Sequence, residues 1–286
     1  MAALAPGCHF GERPRPSVGS QVACRQLAQQ GISALDDGQW NQASGYIANA
    51  VKTCPVDPDA HRHYAEALWH QADHEQALAE LDEALSLAPD DPQAQVLAAR
   101  FRLELQQYEQ AIQWAEGALD LDPKSADAWA VHGQITKAMN QLPQALADFQ
   151  RALSYEPRRA DWLLEVAELY RRMNRPQQAL ANLQALADLY PPGEEPAKVM
   201  YLLGLAYSAI DRYDEAIDAY ALAIARGGPR AGVLFHQADA MWRAGRATDA
   251  KAALREALVL EPRHEPSRTL LAKIEQADPA SRTMLR

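Results

Sequence analysis

Prolines recur at Pro55, Pro89, Pro123, Pro157 and Pro191, always 34 residues apart. Twelve residues before each stands an alanine: Ala43, Ala77, Ala111, Ala145, Ala179. Twenty-four residues before each stands Gly31, Ala65, Ala99, Gly133 or Ala167. After Pro191 the register slips by three residues and resumes, so that Gly204 and Ala216 lead to Gly228, and Ala238 and Ala250 lead to Pro262. Ala272 opens a further copy. A second small position follows the alanines by seven, at Ala50, Ala84, Ala118, Ala152, Ala223 and Ala257, with Leu186 the exception. A fixed period of this length signals repeated supersecondary units that bury their apolar faces only by stacking. The 286 residues therefore measure the number of units, and the usual guide of roughly 150 residues per domain does not apply.

The unit is a helix hairpin. The chain holds 56 alanines, only 23 valines, isoleucines and threonines together, and 4 phenylalanines. Alanine is the best helix former, and the residues that fill strands are scarce, so the expected class is all-α. Small residues at fixed positions let two helices cross closely. Each proline ends a second helix, because it has no amide to donate and drives the residue before it out of the α region. Asp57-Pro58 and Asp91-Pro92 supply an N-cap and a first-turn proline for the next helix, and Ser125 supplies a cap. Pro143 and Pro176 fall in the first turn of a second helix, where proline is tolerated.

These residues resemble the tetratricopeptide repeat. Ala128 to Pro157 carries Trp129, Gly133, Ala145, Phe149, Ala152 and Pro157 at the family's spacing, and Leu202 to Ala223 carries Gly204, Tyr207, Tyr213, Ala216, Tyr220 and Ala223. The register gives seven repeats at 24–57, 58–91, 92–125, 126–159, 160–193, 197–230 and 231–264, then a capping helix at 265–277. Repeat three is the most degenerate, with Ala115 where a large residue is usual. Residues 1–23 are expected to be a flexible segment and 278–286 a disordered tail. The three-residue slip in Tyr190–Pro196 reads either as a longer turn or as a hinge. The resemblance implies an α-solenoid of stacked antiparallel hairpins, a right-handed superhelix whose first helices line a concave groove.

The function so implied is a non-catalytic scaffold or adaptor that holds a peptide or protein segment in that groove. Register places Arg62, Glu66 and Trp69 on the groove face of repeat two, Arg100 and Leu103 in repeat three, and Lys137 in repeat four. Repeat five gives Glu168 and Arg171, repeat six Tyr201, and repeat seven Phe235, Asp239 and Trp242. A basic residue recurs through the middle and the face turns aromatic toward the C-terminal end, which suits an extended ligand with acidic groups and one apolar anchor. Alternatively, Arg62–Glu66 and Glu168–Arg171 simply pair along their own helices. The family's best-known ligand mode clamps a chaperone's terminal carboxylate with lysine and asparagine. The matching positions here are Ala28 and Ile32, then Arg62 and Glu66, which argues against that mode.

No glycine-rich phosphate loop or nucleophile-elbow serine is present, so no catalytic residue and no cofactor is expected. His70 and His74 have metal-chelating spacing, but Ala72-Asp73 puts a hairpin turn between them, and no metal site is assigned. A net charge of −10 disfavours nucleic acid as a partner. No run of apolar residues is long enough to be a transmembrane segment. The oligomeric state is not legible.

Three cysteines are too few for a disulfide scaffold. Leu4 to Cys8 is similar to the end of a bacterial lipoprotein signal, which makes Cys8 a lipidation candidate. It departs from that pattern by one residue of spacing and lacks the basic and apolar regions before it. Cys24 starts the first helix of repeat one and Cys54 ends its second, so the antiparallel hairpin sets them side by side as a disulfide candidate. Two alternatives therefore stand: a cytoplasmic adaptor with three thiols, or an envelope-anchored lipoprotein that acts in assembly of a membrane or secretion complex.

Overall fold

The computed structural model describes residues 18–277, and every described element is helical. The chain divides into two compact units, Met1–Met139 and Asn140–Arg286. The first holds α1 (Val18–Asp36), α2 (Trp40–Thr53), α3 (Pro58–His70), α4 (His74–Leu87), α5 (Pro92–Glu104), α6 (Tyr108–Leu121) and α7 (Ala126–Ala138). The second holds α8 (Leu142–Tyr155), α9 (Ala160–Arg172), α10 (Pro176–Ala187), α11 (Ala197–Ser208), α12 (Tyr213–Gly227), α13 (Ala231–Arg243), α14 (Ala247–Leu260) and α15 (Glu265–Ala277). Within each unit, consecutive helices pack as hairpins and each hairpin packs on the next.

The start of α1 corrects one sequence boundary. The helix begins at Val18, inside the segment expected to be flexible to residue 23. No proline follows Pro16 to stop it, and Gln21 to Ala23 are exposed while Cys24 is the first buried residue. Cys8, the lipidation candidate, and the 278–286 tail lie outside the described residues.

The small positions sit where helices cross. Ala43, Ala77, Ala111, Ala145, Ala216 and Ala250 are all fully buried. A methyl on Gly31 would meet Ile47, and one on Gly204 would meet the Tyr220 ring. Leu186, the exception, is also buried and packs against Val199, Met200 and Leu203. The caps act as the sequence dictates: the Asp57 carboxylate accepts from the Asp59 and Ala60 amides, Asp91 from Gln93, and Ser125 from Ala128.

A second periodic feature lies in the hairpin turns. Gly38, Ala72, Gln106, Asn140, Asn174, Asp211 and Gly245 all adopt positive φ, between 56° and 80°. The amide that follows reaches back to close the helix, as Asp73 does to Leu68 and Gln107 does to Arg102. Ala72 and Gln106 hold this left-handed conformation at a cost that glycine avoids, about 1 kcal/mol. Ala72→Gly and Gln106→Gly are each expected to stabilise the first unit by about 0.5–1 kcal/mol. Urea unfolding measured against the parent checks this, and a lower midpoint for both would contradict it.

The three-residue slip is tied down. Arg226 of α12 donates to the Glu195 carbonyl and pairs with its carboxylate, both at 2.6 Å. The Gly193 amide donates to the same carboxylate at 3.1 Å. The backbone amide of Glu195 and the Arg226 guanidinium hold that carboxyl below its usual value.

Candidate functional site

In the first unit the face of α3 and α5 is a mosaic of paired charges. Arg62 donates to Asp59 at 2.9 Å and lies 3.5 Å from Asp91. Its partners are thus one turn back and at the next repeat's cap, rather than Glu66 four residues on. Glu66 contacts His63 at 3.8 Å instead. The neighbouring His63, with the charges of Arg100 and Arg62, holds the Glu66 carboxyl below its usual value. Arg62, Glu66, Val96, Leu97 and Arg100 line one open recess. Leu103 is half-buried against the cluster of Val131 and Ile135, and Lys137 is half-buried on α7.

Trp69 is a correction. Register puts it on the groove face, yet it is only 6% exposed. Its ring stacks on Phe101 with centroids 3.9 Å apart, and its indole N–H donates to Glu104 at 2.6 Å. The next repeat covers it, so it packs two hairpins together and is closed to a ligand. His70 and His74 fall on either side of the turn, stacked on Trp40 and tilted against Trp69 respectively. No group of three metal-binding side chains occurs among the described residues. Cys24 and Cys54, the candidate disulfide pair, are both buried in one small cluster with Ala50 and Ala60.

The second unit holds a recess of about 120 Å³ between α9, α10 and α11. Its walls include Ala167, Ala179, Leu183, Leu202, Leu205 and Ala206, and Glu168 and Arg171 stand at its mouth. Glu168 is 3.7 Å from Arg171 and 3.8 Å from Lys198, so one carboxylate serves two exposed cations. The lining thus carries one carboxylate and one guanidinium over an apolar interior, and Lys198 reaches the same carboxylate from beyond the lining. The pairing of Glu168 with Arg171 is the within-helix alternative that the sequence left open.

The aromatic end is more built into the fold than its register suggests. Tyr201 is half-buried beside Tyr220 and His236. Phe235 meets His236 and His264 edge-on, at 5.1 and 5.9 Å. Trp242 lies under Lys273 at 4.6 Å and packs with the cluster of Ala238, Leu254 and Leu270. Asp239 is tied to Arg243 at 2.8 Å. Each presents part of its surface, but its removal also costs packing.

His236 adds a pH dependence. Burial lowers its pKa from the usual 6.5, with Asp239 opposing and His264 assisting. A base with a depressed folded pKa loses stability as pH falls below its unfolded value, because the unfolded chain then binds the proton more readily. Protection of the α13 amides, taken relative to the intrinsic exchange rate at each pH, is therefore expected to fall between pH 7 and 5.5. His236→Gln should flatten that response, and an unchanged slope in the variant would contradict the assignment.

Tetratricopeptide-repeat models match residues 29–92, 68–135 and 158–227. The chain belongs to the tetratricopeptide-repeat family. Among curated proteins none matches it significantly. Several solved tetratricopeptide-repeat structures share its fold. PilF of Pseudomonas aeruginosa is 21% identical, covers 72% of this chain and 92% of its own, and has a TM-score of 0.64. PilW, described as a widely conserved type IV pilus biogenesis factor, is 19% identical over 73% and 94% of the two chains, with a TM-score of 0.64. YrrB, described as having an unusual peptide-binding site, is 18% identical over 66% and 96%, with a TM-score of 0.62. At these identities the likeness is one of fold.

Tetratricopeptide register did not reveal Lys198 as a partner of Glu168. The three-residue slip lies between them, and only the packed geometry shows how α11 returns to α9. Nor did it reveal that second-helix residues Ala179 and Leu183 floor the recess. Their burial was legible, but the opening above them was not. No helix among the described residues is long and apolar enough to cross a membrane.

Proposed function

We propose that this tetratricopeptide-repeat protein is a non-catalytic adaptor that captures an extended segment of another protein. The observation that carries the reading is the recess of the second unit. An apolar interior edged by the exposed Arg171, with Lys198 nearby on the same carboxylate, suits an aliphatic side chain followed by an acidic group. A preformed surface on packed helices lowers the entropy cost of holding such a segment. The paired charges around Arg62 and Glu66 make the first unit's face less anion-selective than its arginines alone suggest.

Arg171 is the residue to test, because it is half-exposed and its removal empties no core. Arrays of extended peptides that pair leucine, isoleucine or methionine with a neighbouring Asp or Glu should retain the full chain. Arg171→Glu should reduce retention by about tenfold, the loss of one favourable charge contact and its reversal. Equal retention of peptides bearing lysine in place of the acid would overturn this specificity.

A second reading keeps the same binding surface but anchors it at a cell envelope, where it would help assemble a membrane or secretion complex. The sequence around Cys8 motivates it, and a pilus biogenesis factor is among the proteins of similar fold. Mass analysis of the N-terminal peptide from native cells tests it. A lipid adduct on Cys8 supports the reading, and an unmodified Cys8 removes it.

A further inference from the structure

We infer that Cys24 and Cys54 form an intrachain disulfide on oxidation, a covalent staple for the first hairpin. Cys24 lies on α1, and Cys54 is the residue that ends α2. Both are buried, at 1% and 5% exposure, in one small cluster with Ala50 and Ala60. The Cys54 side chain is near enough to act on the Cys24 thiol. The Cys24 thiol also lies 3.6 Å from the Ala50 carbonyl oxygen and 3.8 Å from Asp57 Oδ2. The pair is thus adjacent and enclosed by the hairpin's own core. Cys54 has non-helical dihedrals, φ −134° and ψ 76°, so its backbone can adjust to a disulfide without unwinding α2.

The repeat register sharpens the coincidence. Positions equivalent to Cys24 carry Pro58, Pro92, Ala126, Ala160, Ala197 and Ala231, and those equivalent to Cys54 carry Ala88, Asp122, Glu156, Tyr190, Gly227 and Glu261. Only repeat one has cysteine at either position, and it has cysteine at both. It is also the hairpin whose first helix has no earlier described hairpin to pack on and no Asp-Pro start like those of α3 and α5. A crosslink between the start of one helix and the end of the next opposes local opening of that hairpin.

The chemistry is thiol–disulfide exchange with a small-molecule or protein disulfide as oxidant. One cysteine sulfur attacks that disulfide, forming a mixed disulfide and releasing one thiol of the oxidant. The second cysteine sulfur then displaces the other thiol, so two electrons and two protons pass to the oxidant. Burial, then the neighbouring Cys54 and the Asp57 carboxylate, push the Cys24 thiol up to about 12. Exchange in the closed hairpin is therefore slow, and the bond forms while the hairpin is open, during folding or local opening.

The test uses the full chain with Cys8→Ser, which leaves Cys24 and Cys54 as its only cysteines. It is unfolded, refolded with oxidised glutathione, and alkylated in denaturant. The expected product is monomeric, takes up no alkyl group and is lighter than the reduced chain by about 2 Da. Amide exchange in α1 should slow by about tenfold or more relative to the reduced chain, with α11–α14 unchanged. Two alkylatable thiols after refolding, glutathione adducts on both cysteines, or a disulfide-linked dimer would each overturn the inference. Adding Cys54→Ser checks the pairing: helicity should survive and the fast exchange of α1 should persist under oxidant. Slow exchange in that variant would also overturn it.

Discussion

Tyr220→Ala is expected to destabilise the second unit by about 3–5 kcal/mol, the range for truncating a fully buried aromatic ring. The ring fills the crossing of α11 and α12, seated against Gly204, with Tyr201 and His236 beside it. Its hydroxyl lies 3.4 Å from Ser208. Gly204→Ala approaches the same contact from the other side. A methyl there would sit 2.5 Å from the Tyr220 ring, which cannot swing away because its neighbours enclose it. Overpacking of this kind costs about 1–3 kcal/mol, against a helix-propensity gain of about 1 kcal/mol from replacing glycine. The balance is a net loss, whereas the same change at an open helical glycine such as Gly232 is a gain. Denaturant unfolding followed by hydrogen exchange in α11 and α12 measures both. Removal of a whole ring at under 1 kcal/mol would show that this crossing is not packed as described.

Trp69→Ala should cost a similar 3–5 kcal/mol, confined to the first unit. The indole joins α3 to α5 through its stack on Phe101 and its hydrogen bond to Glu104. Glu104→Gln keeps an acceptor for the indole N–H and should cost no more than about 1 kcal/mol. The pair of variants separates ring packing from the polar contact. If Trp69→Ala left stability unchanged while lowering ligand capture, the residue would belong to the binding face after all. Repeat arrays unfold in segments, so these effects are best read locally by exchange, rather than from one melting temperature.

Why register placed Trp69 on the wrong surface is instructive. A helical period fixes the direction in which a side chain leaves its own helix. It does not say whether the neighbouring repeat supplies a partner that closes over it, as Phe101 does here. The crossing alanines were legible because their function depends only on size at a fixed position, and within the seven repeats they are buried where the period puts them, whereas Ala272 is exposed. The left-handed turn residues were not, since Ala72, Gln106 and Asp211 carry no side-chain signature for positive φ and glycine appears only at Gly38 and Gly245. Arg62 shows the same limit for charge. Its i+4 neighbour Glu66 was visible in sequence, but Asp59 and Asp91, the cap of the next repeat's first helix, hold it. The cysteine pair was legible for the opposite reason: an antiparallel hairpin makes the start of one helix and the end of the next neighbours by topology alone.

The central claim is that the face formed by α9 and α11 binds a segment of another protein. Its most direct test is site-specific photocrosslinking in cells, with the probe at Leu205 in the recess or at Val259, which is 81% exposed on α14. The account predicts a discrete crosslinked protein from Leu205 that is lost when Arg171→Glu is added, and no such product from Val259. Crosslinks of equal pattern from both positions, or products from Leu205 that survive the charge reversal, would contradict it.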